Sequence, residues 1–188
     1  MRKDYPTLTL NDGRQLPQIG FGTYQIDNDK AAEAVRTAVD VGYKMVDTAA
    51  VYQNEDGVGD GLTETPNIFL QTKIWNASQG YDRTLKAAEK CLDRLGRDNV
   101  DMLLIHWPCP EKGLFVETWK ALIELRDQGK AKSIGVSNFR TEDLKRIADE
   151  TGVTPALNQI ELHPSFQQRE LRKQHSDMGI VTQSWSPL

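Results

Sequence analysis

The sequence has few cysteines and no long apolar run. Cys91 and Cys109 are its two cysteines among 188 residues, and they fit no metal-ligand spacing. We interpret them as packing or surface thiols without a disulfide, as a reducing compartment favours. No apolar run approaches the roughly 20 residues of a membrane-spanning helix, and the segment MRKDYP lacks the apolar stretch of a signal peptide. These absences predict a cytoplasmic protein with no membrane partner and no metal.

Neither sign of charge dominates the chain. Its 23 basic and 27 acidic residues are interspersed and give a net charge of −4, so there is no basic stripe that would indicate a nucleic-acid partner. Low-complexity linkers are absent as well. The length is sufficient for a substantial core, and we predict a single domain over residues 1–188.

A regular alternation of short apolar runs and helical stretches fills the chain after an N-terminal hairpin. Asp12-Gly13 predicts the hairpin turn, within residues 8–16. Predicted strands cover residues 19–22, 45–47, 68–73, 102–106, 133–136, 156–161 and 180–185, and predicted helices cover residues 30–41, 54–62, 82–95, 115–128, 142–150 and 168–177. This rhythm is typical of an α/β protein with a parallel sheet.

The number of strands sets a further expectation. Seven strands are predicted, whereas a closed (β/α)8 TIM barrel has eight and typically about 250 residues. We therefore predict a TIM barrel cut after its seventh strand, which is an incomplete domain. The first and seventh strands would each have an unpaired edge, which favours self-association.

Four polar residues lie where strand ends should converge. Asp47, Lys73 and His106 are at or just past the ends of predicted strands, and Tyr52 follows Asp47 by five residues. Strand ends of an α/β barrel meet at one mouth, so these side chains are expected to lie together. Singly, each has a plainer explanation as a solvated charge, a half-buried tyrosine or a core histidine. Together they are typical of a proton-transfer site.

Motifs along nearly the whole chain resemble those of the aldo-keto reductase family. They are GFGTY at 20–24, VDTAAVYQNE at 46–55, TKIW at 72–75, LIHWP at 104–108, IGVSNF at 134–139, NQIELHP at 158–164 and SWSPL at 184–188. Within the family, the chain is most similar to members like 2,5-diketo-D-gluconate reductase. The resemblance implies a (β/α)8 barrel whose bottom is closed by an N-terminal hairpin, which agrees with the pattern of strands and helices.

The resemblance also implies hydride transfer from a nicotinamide cofactor to a small aldehyde, ketone or keto-sugar. Tyr52 would donate the proton, and Lys73 would lower the pKa of this phenol from its usual value of about 10. Asp47 would keep Lys73 charged and oriented. His106 would position or polarise the substrate carbonyl.

Binding residues follow from the same resemblance. Those expected to bind the cofactor are Thr23, Tyr24, Asp47, Ser137, Asn138, Gln159, Trp185, Ser186 and Leu188. Those expected to bind the substrate are Tyr24, Trp75, His106 and Trp107, an aromatic set that suits a concave pocket. NADP is favoured over NAD by the resemblance alone.

Two alternatives to an active enzyme stay open. The chain could be a truncated reductase that folds but is catalytically crippled, or a binding or regulatory protein on the same scaffold. Two further features have plain interpretations. Gly57, Gly59 and Gly61 lack the spacing of a nucleotide-binding motif and predict a weak second helix. His175 lies in a predicted helix and is expected to be solvated.

Overall fold

A computed structural model of the chain describes residues 5–65 and 67–188. The strands are β1 (Thr7–Thr9), β2 (Gln15–Pro17), β3 (Phe21–Gly22), β4 (Met45–Asp47), β5 (Phe69–Ile74), β6 (Val100–Ile105), β7 (Ala131–Ser137), β8 (Leu157–Glu161) and β9 (Val181–Trp185). The α-helices are α1 (Asn28–Asp40), α2 (Glu55–Gly61), α3 (Tyr81–Leu95), α4 (Phe115–Asp127), α5 (Thr141–Thr151) and α6 (Arg169–Asp177). Short 3-10 turns follow β4, β5 and β6 at Ala50–Tyr52, Asn76–Ser78 and Pro110–Lys112. Among these described residues, no helix has both the length and the apolar character needed to cross a bilayer.

Strands β3 to β9 form one parallel sheet in sequence order, and β1 and β2 form an antiparallel hairpin. One helix returns the chain between each pair of consecutive strands from β3 onward. Every strand and helix predicted from the sequence is present, with ends within two residues of the predicted ones. The predicted fold, a (β/α)8 barrel through its seventh strand with an N-terminal hairpin, is confirmed.

The sheet separates two hydrophobic clusters. Its outer face packs against the helices, with Leu103 and Ile105 of β6 in the larger cluster. Its inner face carries Met102 and Leu104 of the same strand, which pack with Leu16 of the hairpin. This alternation follows from the two-residue period of a strand. The hairpin therefore closes the lower end of the barrel, and the upper end is left for polar side chains.

The three glycines of α2 have a packing reason. A Cβ added at Gly57 would lie 2.3 Å from the carbonyl oxygen of Asn28 in α1, and one at Gly59 would lie 2.5 Å from the carbonyl oxygen of Leu95 in α3. Both distances are shorter than heavy atoms allow. The glycines lower helix propensity, but they let α2 contact the backbones of both neighbouring helices. The short helix is thereby held by packing on two sides.

His175 is buried, which makes the expectation of a solvated side chain wrong. The amide Nδ2 of Asn158 in β8 donates to its Nε2 at 2.9 Å, so Nδ1 carries the proton and donates to the hydroxyl of Thr182 in β9 at 2.8 Å. Burial lowers the pKa of His175 to about 4. The neutral ring thus joins α6 to the last two strands.

The burial of His175 predicts that the stability of the fold depends on pH. An unfolded imidazole titrates near 6.5, whereas the folded-state pKa is about 4. Between these values the unfolded chain binds a proton that the folded chain does not. We therefore expect the free energy of unfolding to decrease as the pH falls from about 6.5 to 4, by about 3 kcal/mol from this residue.

Urea unfolding followed by circular dichroism across this pH range measures the effect. His175→Gln should flatten the decrease, whereas His163→Gln, at a histidine whose side chain reaches solvent, should retain it. Equal pH dependence in the two variants would contradict the assignment to His175.

Candidate active site

The upper end of the barrel brings together the four residues predicted from strand ends. Lys73 Nζ lies 2.8 Å from each carboxylate oxygen of Asp47 and donates a third bond to the carbonyl oxygen of Thr48 at 3.0 Å. The same Nζ is 5.2 Å from the ring centre of Tyr52. The ring of His106 stands edge-on to that of Tyr52, with 5.8 Å between their centres. The predicted convergence at this mouth is therefore found.

The phenol of Tyr52 is held in its protonated form. Burial raises its pKa well above 10, and the negative charge of Asp47 and the neighbouring Tyr24 raise it further. The net shift is therefore upward, opposite to the lowering expected from the sequence, because burial outweighs any effect of the nearby ammonium. All three of the hydrogen bonds made by the Lys73 ammonium go to Asp47 and Thr48, so none reaches the phenol.

His106 is a neutral imidazole near neutral pH. Burial first, and then the positive charge of Lys73, lower its pKa to about 3. Its Nδ1 is buried and has no hydrogen-bond partner among the described residues. Orphaned buried N–H groups are rarer than orphaned acceptors, so the proton is best placed on Nε2. The ring lines the cleft and can donate a hydrogen bond there from Nε2.

A cleft of about 1000 Å³ runs along the gap between β3 and β9, from Leu16 of the hairpin up to these residues. The predicted substrate residues Tyr24, Trp75, His106 and Trp107 all line it. The rings of Trp75 and His106 meet edge-on at 5.1 Å, and those of Tyr24 and Tyr52 lie 5.2 Å apart. The cleft is thus walled by aromatic rings around two groups that can donate protons or hydrogen bonds.

Most of the predicted cofactor residues line the same cleft. They are Tyr24, Asp47, Ser137, Asn138, Gln159, Trp185 and Ser186. Asn138 joins several of them from a left-handed backbone conformation, with φ at 63°. Its Nδ2 donates to the carbonyl oxygen of His106 at 3.0 Å, and its Oδ1 accepts the indole N–H of Trp185 at 2.8 Å. The indole is thereby fixed at the edge of the cleft.

Three predicted site residues lie outside the cleft lining. Lys73 is fully buried behind Asp47, as suits a residue that acts through its charge. Thr23 is also fully buried, and its hydroxyl donates to the carbonyl oxygen of Asp47 at 3.3 Å, so it supports that backbone. Leu188 is fully exposed at the end of the chain.

Two glutamines at the site were not found from the sequence. Gln71 in β5 and Gln183 in β9 face the barrel interior, and Gln71 donates to Asp47 at 2.7 Å. Gln71 precedes Lys73 by two residues, and Gln183 precedes Trp185 by two. The two-residue period of a strand, applied to the predicted site residues, would have placed both on the same inner face.

A buried carboxylate behind the site was also missed. Glu55 at the start of α2 is fully buried and accepts the hydroxyl of Thr72 at 2.5 Å. Its other oxygen accepts Nε of Arg94 in α3 at 2.9 Å and Nη2 at 2.5 Å. This network ties the helix that follows Tyr52 to the strand position next to Lys73.

The fold and this site define a class: a TIM-barrel protein with tyrosine, lysine, aspartate and histidine assembled at the carboxyl ends of its strands. Residues 18–188 match the model described as the aldo/keto reductase family. The chain belongs to that family.

Particular relatives share both sequence and fold. Methylglyoxal reductase DkgA of Escherichia coli is 45% identical over 185 residues, which cover 96% of this chain and 66% of that protein. 2,5-Diketo-D-gluconic acid reductase B of Corynebacterium sp. is 44% identical over 187 residues, which cover 97% of this chain and 68% of that protein. The crystal structure of a Gox0644 mutant in complex with NADPH has a TM-score of 0.97 at 53% identity, and the match covers 99% of this chain and 69% of that one. The predicted resemblance to 2,5-diketo-D-gluconate reductase is confirmed, and the chain spans about two thirds of the length of these relatives.

The Glu55–Arg94 pair predicts a large loss of stability when one partner is removed. Arg94→Met leaves the buried carboxylate of Glu55 without its cation, and we expect the free energy of unfolding to fall by about 3 kcal/mol. Lys30→Met breaks the ion pair of Lys30 with Asp27, in which both side chains are exposed, and should change the free energy of unfolding by less than about 0.5 kcal/mol. Urea unfolding of both variants tests this. The double variant Glu55→Gln/Arg94→Met should recover part of the loss, and an Arg94→Met chain as stable as Lys30→Met would disprove the role of the pair.

Proposed function

We propose that the chain reduces the carbonyl group of a small aldehyde, ketone or keto-sugar with NADPH, and that Tyr52 donates the proton. The observation that carries the proposal is the meeting of a protonated phenol, a neutral imidazole and a buried Lys73–Asp47 pair at an aromatic cleft. These groups suit the delivery of a proton to an oxygen that gains negative charge.

The residues of the cleft fit a nicotinamide cofactor. Gln159 lines the cleft, and its Oε1 has no hydrogen-bond partner among the described side chains, so it can accept from the carboxamide N–H2. Trp185 offers a flat indole that its bond to Asn138 holds in place. Ser137 and Asn138 lie beside them. When bound, the cofactor supplies the hydride.

The protein's own residues supply orientation and a proton. The substrate oxygen would accept hydrogen bonds from the phenol of Tyr52 and from Nε2 of His106, which polarise the carbonyl. An alkoxide is about as basic as hydroxide, whose conjugate acid, water, has a pKa of about 15.7, so even a phenol with a raised pKa gives up its proton favourably. The charge of Lys73, 5.2 Å from the ring centre, would then stabilise the phenolate that remains.

The names of the relatives support small substrates with two carbonyl groups. Methylglyoxal reductase and 2,5-diketo-D-gluconic acid reductase are both named for such compounds. The aromatic walls around Tyr52 and His106 would suit a small, flat carbonyl compound. Methylglyoxal is therefore our first choice of substrate for this chain.

Fluorescence titration of the purified chain with NADPH and NADH, followed by a methylglyoxal-dependent assay of NADPH oxidation, tests the proposal. Tight binding of NADPH together with turnover is the expected result. Binding without turnover would instead favour a crippled reductase or a binding protein on the same scaffold. A chain that binds neither cofactor would contradict the proposal.

Tyr52→Phe separates chemistry from binding. The change removes the proton donor and little volume, so we expect turnover to fall by at least about 100-fold while the Kd for NADPH changes less than about twofold. Tyr43→Phe is the matched control, because Tyr43 packs against Phe21 and does not line the cleft. Wild-type turnover in Tyr52→Phe would remove Tyr52 from the role of acid.

A further inference from the structure

Three glutamines and Asp47 form a closed ring of hydrogen bonds inside the barrel. Nε2 of Gln71 donates to Asp47 Oδ1 at 2.7 Å and to Gln183 Oε1 at 2.9 Å. Nε2 of Gln159 donates to Asp47 Oδ2 at 3.2 Å and to Gln183 Oε1 at 2.7 Å. Asp47 and Gln71 are register partners in β4 and β5, and Gln159 and Gln183 are register partners in β8 and β9. The ring therefore links β4 and β5 to β8 and β9 across the barrel interior.

The chemistry of Asp47 fixes the direction of every bond in this ring. An ionised carboxylate can only accept hydrogen bonds, so both facing amides must present their Nε2 groups to it. Each Nε2 has a second proton, and both of these point at the same atom of Gln183. That atom must therefore be the acceptor Oε1. The orientation of all three amides follows from one charge.

This orientation decides which atom of Gln159 is available to a ligand. With both Nε2 protons engaged, the remaining polar atom is Oε1, an acceptor, on a residue that lines the cleft. The bond to Gln183 is the shorter of the two that hold the amide, at 2.7 Å against 3.2 Å for Asp47. Gln183 is therefore a close restraint on the amide of Gln159, beside the carboxylate of Asp47.

The ring is not explained by stability. Oε1 of Gln71 is buried without a hydrogen-bond partner, and such an atom costs about 1–3 kcal/mol. Apolar side chains at these interior positions would avoid that cost. Buried polar atoms without partners are expected mainly at functional sites, where the chemistry of the site requires polar side chains.

We infer that Gln71 and Gln183 are positioning residues, which hold the carboxylate of Asp47 beside Lys73 and fix the amide of Gln159 so that its oxygen accepts from a nicotinamide carboxamide. The inference rests on the proposed function for its cofactor. Within the ring Gln183 acts only as an acceptor, while its own Nε2 donates to Sδ of Met45 at 3.6 Å, and neither glutamine takes part in proton or hydride transfer.

Comparing the binding of NADPH with that of one analogue tests this positioning role separately from other effects. The reduced 3-acetylpyridine analogue of NADPH replaces the carboxamide by a methyl ketone, which has no N–H to donate. The wild-type chain should bind NADPH about tenfold more tightly than this analogue, since one hydrogen bond is lost. In Gln183→Met the Kd for NADPH should rise by about tenfold, and the preference over the analogue should fall toward one.

Two further variants separate positioning from general damage. Gln183→Glu keeps an acceptor for both amides, so it should retain the preference for NADPH even if the added charge weakens both cofactors. Gln128→Met makes the same change as Gln183→Met at an exposed glutamine of α4's C-terminal end and should match the wild type. If Gln183→Met weakens both cofactors equally, or behaves as Gln128→Met does, the inference is overturned while the proposed function stands.

Hydrogen exchange of side-chain amides, measured by NMR on the wild-type chain, tests the ring without any variant or turnover. Both Nε2 protons of Gln71 and of Gln159 should exchange far more slowly than those of the exposed Gln128. Fast exchange at Gln71 and Gln159 would overturn the ring itself. A chain with a protected ring that binds no cofactor would overturn the proposed function, and the cofactor-positioning role with it.

Discussion

The buried ion pair of Asp47 and Lys73 is the interaction on which the rest of the site depends. Lys73 is fully buried, and an unpaired ammonium in that position would cost several kcal/mol. Its three hydrogen bonds go to Asp47 and to the backbone of Thr48, so the carboxylate must be held still for the lysine to remain charged. The amides of Gln71 and Gln159 hold it. The register of β4 and β5 sets Gln71 opposite Asp47, whereas Gln159 reaches the carboxylate across the barrel interior from β8. The position of the charge therefore depends on strands on both sides of the sheet.

The same strand periodicity supplies both the stability and the chemistry of the barrel. In β5 the outward residues Leu70 and Ile74 join the large core beneath the helices, whereas Gln71 and Lys73 face inward. Lower in the barrel the inward positions are apolar and are covered by the hairpin, as with Leu104 and Leu16. The polar groups of the site are thus gathered at the carboxyl ends of the strands. Because these groups rest on a packed apolar floor, they have few alternative positions.

The elements and the four central residues could be predicted from local patterns, because apolar runs, helix-ending glycines and polar residues at run ends are all visible in the sequence. What could not be predicted depends on contacts between distant segments. Helix α6 reads RELRKQHSD, and its one apolar residue, Leu171, one turn before His175, is too little to mark a buried face, so the burial of His175 could not be predicted. The role of Gln183 in β9 depends on Asp47 in β4, which is five strands away in the described sheet. The direction of the pKa shift at Tyr52 required knowledge of its burial and of how fully Asp47 engages Lys73.

The raised pKa of Tyr52 is compatible with the proposed reaction and changes how Lys73 would assist it. A phenol with a lowered pKa would be partly ionised before substrate binds, whereas this one carries its proton throughout the neutral range. Negative charge reaches the ring only as the proton leaves, and at that moment the ammonium of Lys73 stands 5.2 Å from the ring centre. The attraction would therefore be small in the resting state and larger along the proton transfer. Stabilisation that grows toward the transition state accelerates a reaction, while stabilisation of the resting state does not. In this arrangement, Lys73 would act on the charge that the reaction creates rather than by preparing an ionised tyrosine in advance.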